Sequence, residues 1–117
     1  MPFAFEDLQV YQRSLDFAVA VIDEVDQIET PRRHYRLIEQ LESSCTSVTL
    51  NISEGKGRYS KKEFRLFLYV ARDSLCETVT MSQIFGKKKW QKECTYFRLY
   101  AEAQEIHKML SGLIRSI

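Results

Sequence analysis

The chain has 117 residues, 44% of them hydrophobic and 28% charged, with four glycines and two prolines, a composition that excludes collagen-like and disordered chains. This length predicts one domain over residues 1–117, which can bury a core without disulfide or metal staples. Seventeen basic against sixteen acidic residues give a net charge of +1, so the chain lacks the overall basic balance of a dedicated nucleic-acid binder.

The first predicted element is an amphipathic helix over about residues 6–28, because apolar residues recur there at helical spacing. One face carries Leu8, Tyr11, Leu15, Ala18, Ile22 and Val25. A flanking apolar stripe carries Val10, Phe17, Val21 and Ile28. Two stripes exceed what one bundle contact requires, so the flanking stripe is a candidate subunit contact.

A second helix is predicted to start at Thr30 and Pro31, which supply a capping hydroxyl and a first-turn proline. Its core face reads Leu37, Ile38, Leu41, Cys45, Val48 and Ile52. Residues 45–53 are rich in β-branched and hydroxyl side chains, so a strand is an alternative there. We favour the helix because the apolar face continues and a lone strand would have no partner. Gly55 and Gly57 are predicted to end it in the left-handed conformation.

A third helix is predicted from the capping box of Ser60 and Glu63 to about Phe85, with Gly86 as its stop. Its core face holds Phe64, Phe67, Leu68, Ala71, Leu75, Thr78 and Phe85. Another apolar group, on a different face, holds Leu66, Val70, Met81 and Ile84. The last helix is predicted from about Trp90 to the end of the chain.

Four helices with short connections predict an all-α fold, an antiparallel up-down-up-down four-helix bundle. The surplus apolar positions predict a homo-oligomer, because a monomer would leave them in water. The candidate interface residues are Leu66, Val70, Met81, Ile84, Val10, Phe17 and Val21.

The sequence contains no recognisable catalytic or targeting pattern. It has neither a basic stretch before an apolar one nor an apolar run near the about 20 residues of a membrane span, so we expect a cytoplasmic protein without a membrane contact. Cys45, Cys76 and Cys94 are odd in number and widely spaced, which predicts buried, reduced thiols. His34 and His107 lack zinc-site spacing, and His34 is expected to be a partly buried packing residue. We therefore predict no enzyme activity, cofactor, metal or small-molecule substrate.

The charges are unevenly distributed along the chain. Residues 1–30 hold one basic and seven acidic residues, whereas the rest hold sixteen basic and nine acidic ones. This asymmetry predicts either a patch for a polyanion or a first helix that packs beside basic ones. The topology places one basic group at the end of the bundle that holds the second connection: Lys56, Arg58, Lys61, Lys62 and Arg65. The opposite end receives Arg32, Arg33, Arg36, Lys87, Lys88, Lys89 and Lys92.

Both basic ends have two interpretations. Several phosphate contacts would give salt-sensitive nucleic-acid binding, and Tyr59 and Trp90 could stack on unpaired bases. Lysines beside a glycine or at a helix end are also common in solvated loops that serve only solubility. The candidate nucleic-acid-binding residues are Arg58, Lys56, Lys61, Lys62, Arg65, Lys87, Lys88 and Lys89.

Several stretches together resemble one family. These are residues 5–11, the run Asn51-Ile52-Ser53-Glu54-Gly55-Lys56-Gly57-Arg58, residues 64–77 and residues 109–114. They resemble the four-helix-bundle proteins encoded by intervening sequences of bacterial large-subunit (23S) ribosomal RNA genes. The resemblance implies a left-handed bundle that assembles as a homopentameric ring, is ribosomal-protein-like and has no established activity. The family is distantly similar to accessory variability proteins of diversity-generating retroelements, which are basic rings that bind a reverse transcriptase and nucleic acid.

The family-signature turn comprises Asn51, Glu54, Gly55, Gly57 and Arg58. As a structural lock, it would pair Glu54 with Arg58 or cap helix ends with them, while Asn51 bonds across the bundle or to a neighbouring subunit. As a functional site, it would bring Arg58 with Lys61 and Lys62 to RNA phosphates.

Two function hypotheses follow. The first is a non-enzymatic, homo-oligomeric scaffold associated with rRNA or other nucleic acid, which binds RNA or an RNA-bound protein through its basic ends. The alternative is a protein-binding adaptor without nucleic-acid contact, which docks through its outer apolar and tyrosine-bearing faces.

Overall fold

The computed structural model describes residues 2–30 and 34–117, which contain four α-helices and no strand. The helices are α1 (Gln9–Val25), α2 (Tyr35–Lys56), α3 (Lys61–Lys87) and α4 (Glu93–Ser116), and a short 3₁₀ helix (Ala4–Asp7) precedes α1. Each helix packs against its neighbours in sequence, and α1 also packs against α4. The described residues measure 47 × 24 × 22 Å. This arrangement confirms the four-helix bundle and excludes the strand alternative for residues 45–53.

Hydrogen bonds between α2 and α3 show that these helices are antiparallel. Oγ1 of Thr78 lies 2.9 Å from Oγ of Ser44, and Oγ of Ser74 lies 2.9 Å from Oγ of Ser47, so the partner number falls as the residue number rises. Asn51 Nδ2 donates to the Ser47 carbonyl oxygen at 2.8 Å. Of the hydroxyl residues that suggested a strand, Ser47 therefore makes a polar contact between two helices, whereas Thr46 and Ser53 donate to carbonyl oxygens of their own helix.

The two apolar stripes of α1 have roles opposite to part of the prediction. Val10, Phe17 and Val21 are only 3–4% exposed and belong to the core, whereas Leu15 is 43% exposed. Helices α2 and α4 pack against α1. The stripe that was assigned to a subunit contact faces these two helices. Helical periodicity defines the angle between two stripes, but neighbouring helices decide which stripe is covered.

The helix ends agree with the sequence patterns only in part. Ser60 Oγ accepts a hydrogen bond from the Glu63 backbone N–H at 3.1 Å, which confirms the start of α3. The proposed helix start at Pro31 lies outside the described residues, and α2 begins at Tyr35. The predicted left-handed glycine is wrong for the end of α2, because Gly57 has φ −80°. Similarly, α3 continues through Gly86, and α4 begins three residues after Trp90.

Within the described residues, no helix is both long and apolar enough to cross a lipid bilayer.

Candidate nucleic-acid interface

Gly55 lies where α2 packs directly on α3. A Cβ atom at this position would come within 2.6 Å of the Cβ atom of Phe67 and 3.1 Å of Cδ1 of Phe64. Gly55 is buried in the last turn of α2, and no glycine in the described residues has a positive φ. The glycine is therefore required for close approach of two helices and not for a turn conformation.

Two aromatic rings of α3 hold the cations that follow Gly55. The Arg58 guanidinium carbon lies 4.5 Å from the Phe67 ring centroid, and the Lys56 ammonium lies 5.6 Å from that of Phe64. Such cation–π contacts restrict a side chain while they leave its outward N–H groups free. Arg58 thus stacks on Phe67, and the predicted pairing with Glu54 does not form. Asn51 bonds within its own helix, so its predicted bond across the bundle is wrong.

The connection between α2 and α3 and the helix ends beside it carry four exposed cations and a fully exposed tyrosine. We call these residues the turn cluster: Lys56, Arg58, Tyr59, Lys61 and Lys62. None of its four cations lies within 4 Å of a carboxylate of the described residues, although the exposed Glu54 and Glu63 flank the group in sequence. The cluster therefore presents basic side chains that form no ion pair within the described part of the chain.

Arg65 has a structural role at the same end of the bundle. Its guanidinium donates hydrogen bonds to the carbonyl oxygens of Ile114 and Ile117, in the last turn and at the cap of α4. A cation at a helix C-terminus satisfies orphan carbonyl groups and favours the helix dipole. The expected phosphate contact of Arg65 competes with these bonds, so we do not include Arg65 in the turn cluster.

The opposite end of α3 closes in a Schellman motif. The Trp90 N–H donates to the Phe85 carbonyl oxygen at 2.9 Å, and the Lys89 N–H donates to that of Gly86 at 3.0 Å. Lys89 occupies the left-handed position of this motif with φ 62°, where glycine is usual. A non-glycine residue in this conformation costs about 1 kcal/mol or more. The helix therefore ends at a lysine, although Gly86 is available three residues earlier.

Trp90 is part of the core and does not offer a stacking surface. It is 9% exposed, its ring lies 4.7 Å from that of His34, and it meets the Phe85 ring at 5.3 Å. The prediction that Trp90 stacks on bases is therefore wrong, whereas the partly buried packing role of His34 is confirmed. Lys88 lies over Trp90 at 5.9 Å. Arg32 and Arg33, assigned to this end, lie outside the described residues.

The acidic character of α1 is not explained by ion pairs with its neighbours. No carboxylate of α1 lies within 4 Å of a basic side chain of the described residues. The basic residue of α1 instead pairs with α4, since Arg13 Nε lies 2.7 Å from Glu102 Oε1 and Nη2 lies 3.0 Å from Oε2. The hydrogen bond and the charge of Glu102 raise the pKa of Arg13. Both side chains are partly exposed, so the pair contributes little stability.

The candidate oligomer residues separate into two groups. Leu66, Val70 and Ile84 are 44–57% exposed on α3, so they leave apolar surface in water. Met81 is 5% exposed, and the three α1 residues already described are buried as well. The prediction that these four line an exposed stripe is wrong, because the subunit's own core covers them.

The three cysteines differ in environment. Cys45 is fully buried, and burial raises the pKa of its thiol to about 11. Cys76 and Cys94 are exposed, so the expectation of three buried thiols is wrong for both. No group of three His, Cys, Asp or Glu side chains in the described part of the chain could hold a metal ion.

Thiol labelling of the native protein should therefore modify two cysteines per chain rapidly. Cys45 should react only on unfolding, because reaction requires both access and the thiolate form. Ellman's reagent with and without denaturant measures both numbers. A Cys45→Ala variant that loses one of the fast thiols would contradict the assignment.

Comparison with known proteins gives one family and one fold. The chain matches the family model of the 23S rRNA-intervening sequence protein over residues 6–112. Its structure is similar to a protein of unknown function from the S23 ribosomal protein family of Bacteroides thetaiotaomicron VPI-5482, with a TM-score of 0.84 and 23% identity. The alignment covers 92% of this chain and 99% of that chain, which supports the fold. No protein with a curated description matches the chain.

Proposed function

Because the chain belongs to the family of 23S rRNA-intervening sequence proteins, we propose that it is a non-enzymatic, homo-oligomeric scaffold in the cytoplasm that binds RNA through the turn cluster. The observation that carries this proposal is the cluster itself. Its four cations are exposed and lack acidic partners among the described residues, and Tyr59 is fully exposed between them. Cations bind phosphates without sequence preference, and an exposed ring stacks on an unpaired base.

The oligomeric part of the proposal depends on α3. Leu66 and Val70 lie one helical turn apart and are both about half exposed, and Ile84 continues the same side of the helix. Contact between copies would remove this apolar surface from water. A closed ring, with five copies as the family resemblance implies, would repeat the turn cluster around one axis. Such repetition would increase avidity for a long RNA without any additional contact within one subunit.

The test is fluorescence anisotropy with single-stranded and hairpin RNA over a salt series, after light scattering has measured the oligomer mass. We expect the triple variant Arg58→Ala, Lys61→Ala and Lys62→Ala to make the negative slope of log affinity against log salt less steep by roughly 2 for single-stranded RNA. Each lost phosphate contact accounts for roughly 0.7 of this change. Affinity at low salt should fall roughly 10- to 100-fold, because three charge contacts are removed.

The control removes positive charge from another surface. Arg98 and Lys108 are exposed on α4 and belong to neither basic end of the bundle, so their double alanine variant should retain both affinity and salt slope. The same loss per removed charge in the two variants would indicate a general charge effect and contradict the site. If the wild-type protein binds no RNA at low salt, the protein-binding adaptor becomes the better hypothesis. A monomeric mass would contradict the oligomer.

A further inference from the structure

The end of α3 and the start of α4 enclose an open groove of about 670 Å³. We call it the α3–α4 groove, and it is lined by Gln83, Gly86, Lys87, Lys89, Gln91, Glu93, Tyr96 and Phe97. This volume lies in the range of small-molecule sites. The 27 residues of α3 separate the groove from the turn cluster by about 40 Å, at roughly 1.5 Å per residue. A single nucleotide cannot contact both the groove and the turn cluster, so a ligand of the groove is separate from one at the turn cluster.

The groove combines cationic, amide and aromatic groups. Neither Lys87 nor Lys89 has an ion-pair partner among the described residues, although Glu93 places one carboxylate on the same lining. Phe97 is 59% exposed, so the lining also presents an apolar ring to water. Gln91 is buried, and its Oε1 accepts a hydrogen bond from the Ser82 hydroxyl at 2.9 Å. Its side-chain NH₂ group has no hydrogen-bond partner in the described part of the chain.

Lys89 combines a basic side chain with an unusual backbone conformation. Its left-handed φ of 62° occupies the Schellman position where glycine would be more stable. The fold does not require a side chain at this position, because the motif is made by backbone hydrogen bonds. A strained residue whose side chain lines a groove points to a use for that side chain. An ammonium at this position attracts an anion.

We propose that the α3–α4 groove binds a nucleoside monophosphate unit, with its phosphate at Lys87 and Lys89 and its base against Phe97. Ammonium groups bind phosphate oxygens by charge-assisted hydrogen bonds, and a base stacks on an aromatic ring. The free NH₂ group of Gln91 adds one donor to the lining. The unit is either a free nucleotide or an unpaired nucleotide of an RNA. This assignment does not depend on RNA binding at the turn cluster.

The first experiment is a titration followed by Trp90, which is the single tryptophan and directly precedes Gln91. The probes are adenosine 5′-monophosphate, adenosine and inorganic phosphate, each added to the full-length protein. Adenosine monophosphate should bind saturably and roughly tenfold more tightly than either fragment, because it makes both the phosphate and the base contact. Equal affinity for inorganic phosphate, or no saturable binding of the nucleotide, would overturn the proposal.

Lys89→Gly separates a binding role from a structural one. It removes the charge and relieves the left-handed backbone, so the melting temperature should rise by a few degrees while nucleotide affinity falls roughly tenfold. Phe97→Ala should weaken adenosine monophosphate without a change in phosphate affinity. Lys108→Ala, an exposed α4 lysine outside the groove, is the charge-matched control and should bind normally. A stabilised Lys89→Gly protein with wild-type affinity would refute the assignment.

A competition experiment distinguishes the two sources of the nucleotide. A single-stranded oligoadenylate that displaces adenosine monophosphate from the wild-type protein would identify the groove as a contact for RNA. Displacement by free nucleotides alone would identify a free-nucleotide site. The Arg58, Lys61 and Lys62 triple alanine variant should bind the mononucleotide normally in either case. Loss of nucleotide binding in that variant would overturn the separation of the two sites.

Discussion

Gly55→Ala is expected to destabilise the bundle by about 1–3 kcal/mol, which is the usual cost of additional volume in a well-packed contact. The new methyl group would lie 2.6 Å from the Cβ atom of Phe67, so α2 and α3 would have to move apart. The Cβ atom of Phe67 is bonded directly to the backbone, so a change of side-chain rotamer cannot move it away. The same movement would disturb the ring on which Arg58 stacks. Urea or thermal unfolding followed by circular dichroism measures the loss.

Gly112 provides the matched control within the same protein. It lies inside α4 and does not have a positive φ, and apart from its chain neighbours and the nearby backbone of α4 no heavy atom lies within 4 Å of an added Cβ. Alanine at this position should therefore stabilise the protein by roughly 0.5–1 kcal/mol, since glycine is a poor helix former. The two substitutions are chemically identical, and we expect opposite signs. Stabilisation by Gly55→Ala would show that α2 and α3 do not approach as closely as described.

Phe85→Ala is expected to cost about 3–5 kcal/mol, the range for removal of a buried phenylalanine. Phe85 is 0% exposed and meets the Trp90 ring at 5.3 Å, and its carbonyl oxygen accepts the bond from the Trp90 N–H. Its loss would leave a cavity beneath the Schellman motif. A domain of this length has a stability of roughly 6–18 kcal/mol, so much of the total is at risk. Chemical denaturation of the purified variant gives the difference.

Phe97→Ala is the control for this change. Phe97 lies near the same end of the bundle but is 59% exposed, so its truncation should alter the free energy of unfolding by less than roughly 0.5 kcal/mol. The two phenylalanines thus separate core packing from a surface available to a ligand. A large loss of stability in Phe97→Ala would place that ring in the core and remove it from the α3–α4 groove.

The two ends of the bundle carry basic residues for different local reasons. At the turn cluster, aromatic rings of α3 restrain Lys56 and Arg58, while Arg65 closes α4. At the other end, the cations belong to the Schellman motif and to the groove that follows it. Variants at one end should therefore leave the other unchanged, since sites this far apart and without shared partners act almost additively.

Local signals in the sequence were sufficient for the elements of the fold. Helical periodicity identified four helices, and the Ser60 to Glu63 pattern located the start of α3 because a capping hydrogen bond spans only three residues. The basic residues of the turn cluster were also placed correctly at the connection between the second and third helices, since Gly57 ends a helix beside them. These features depend on near neighbours in the chain, and the sequence displays near neighbours directly.

Contacts between helices decided the rest. The covered stripe of α1, the burial of Trp90 against His34 and the need for glycine at Gly55 all depend on which helices meet and how closely. The sequence displays the basic run Lys87 to Lys89, but only the packing of α3 and α4 places Lys89 and Phe97 on one groove. Periodicity states the angles between side chains on one helix. Only the packing of neighbouring helices determines which of those side chains contact water, the core or a ligand.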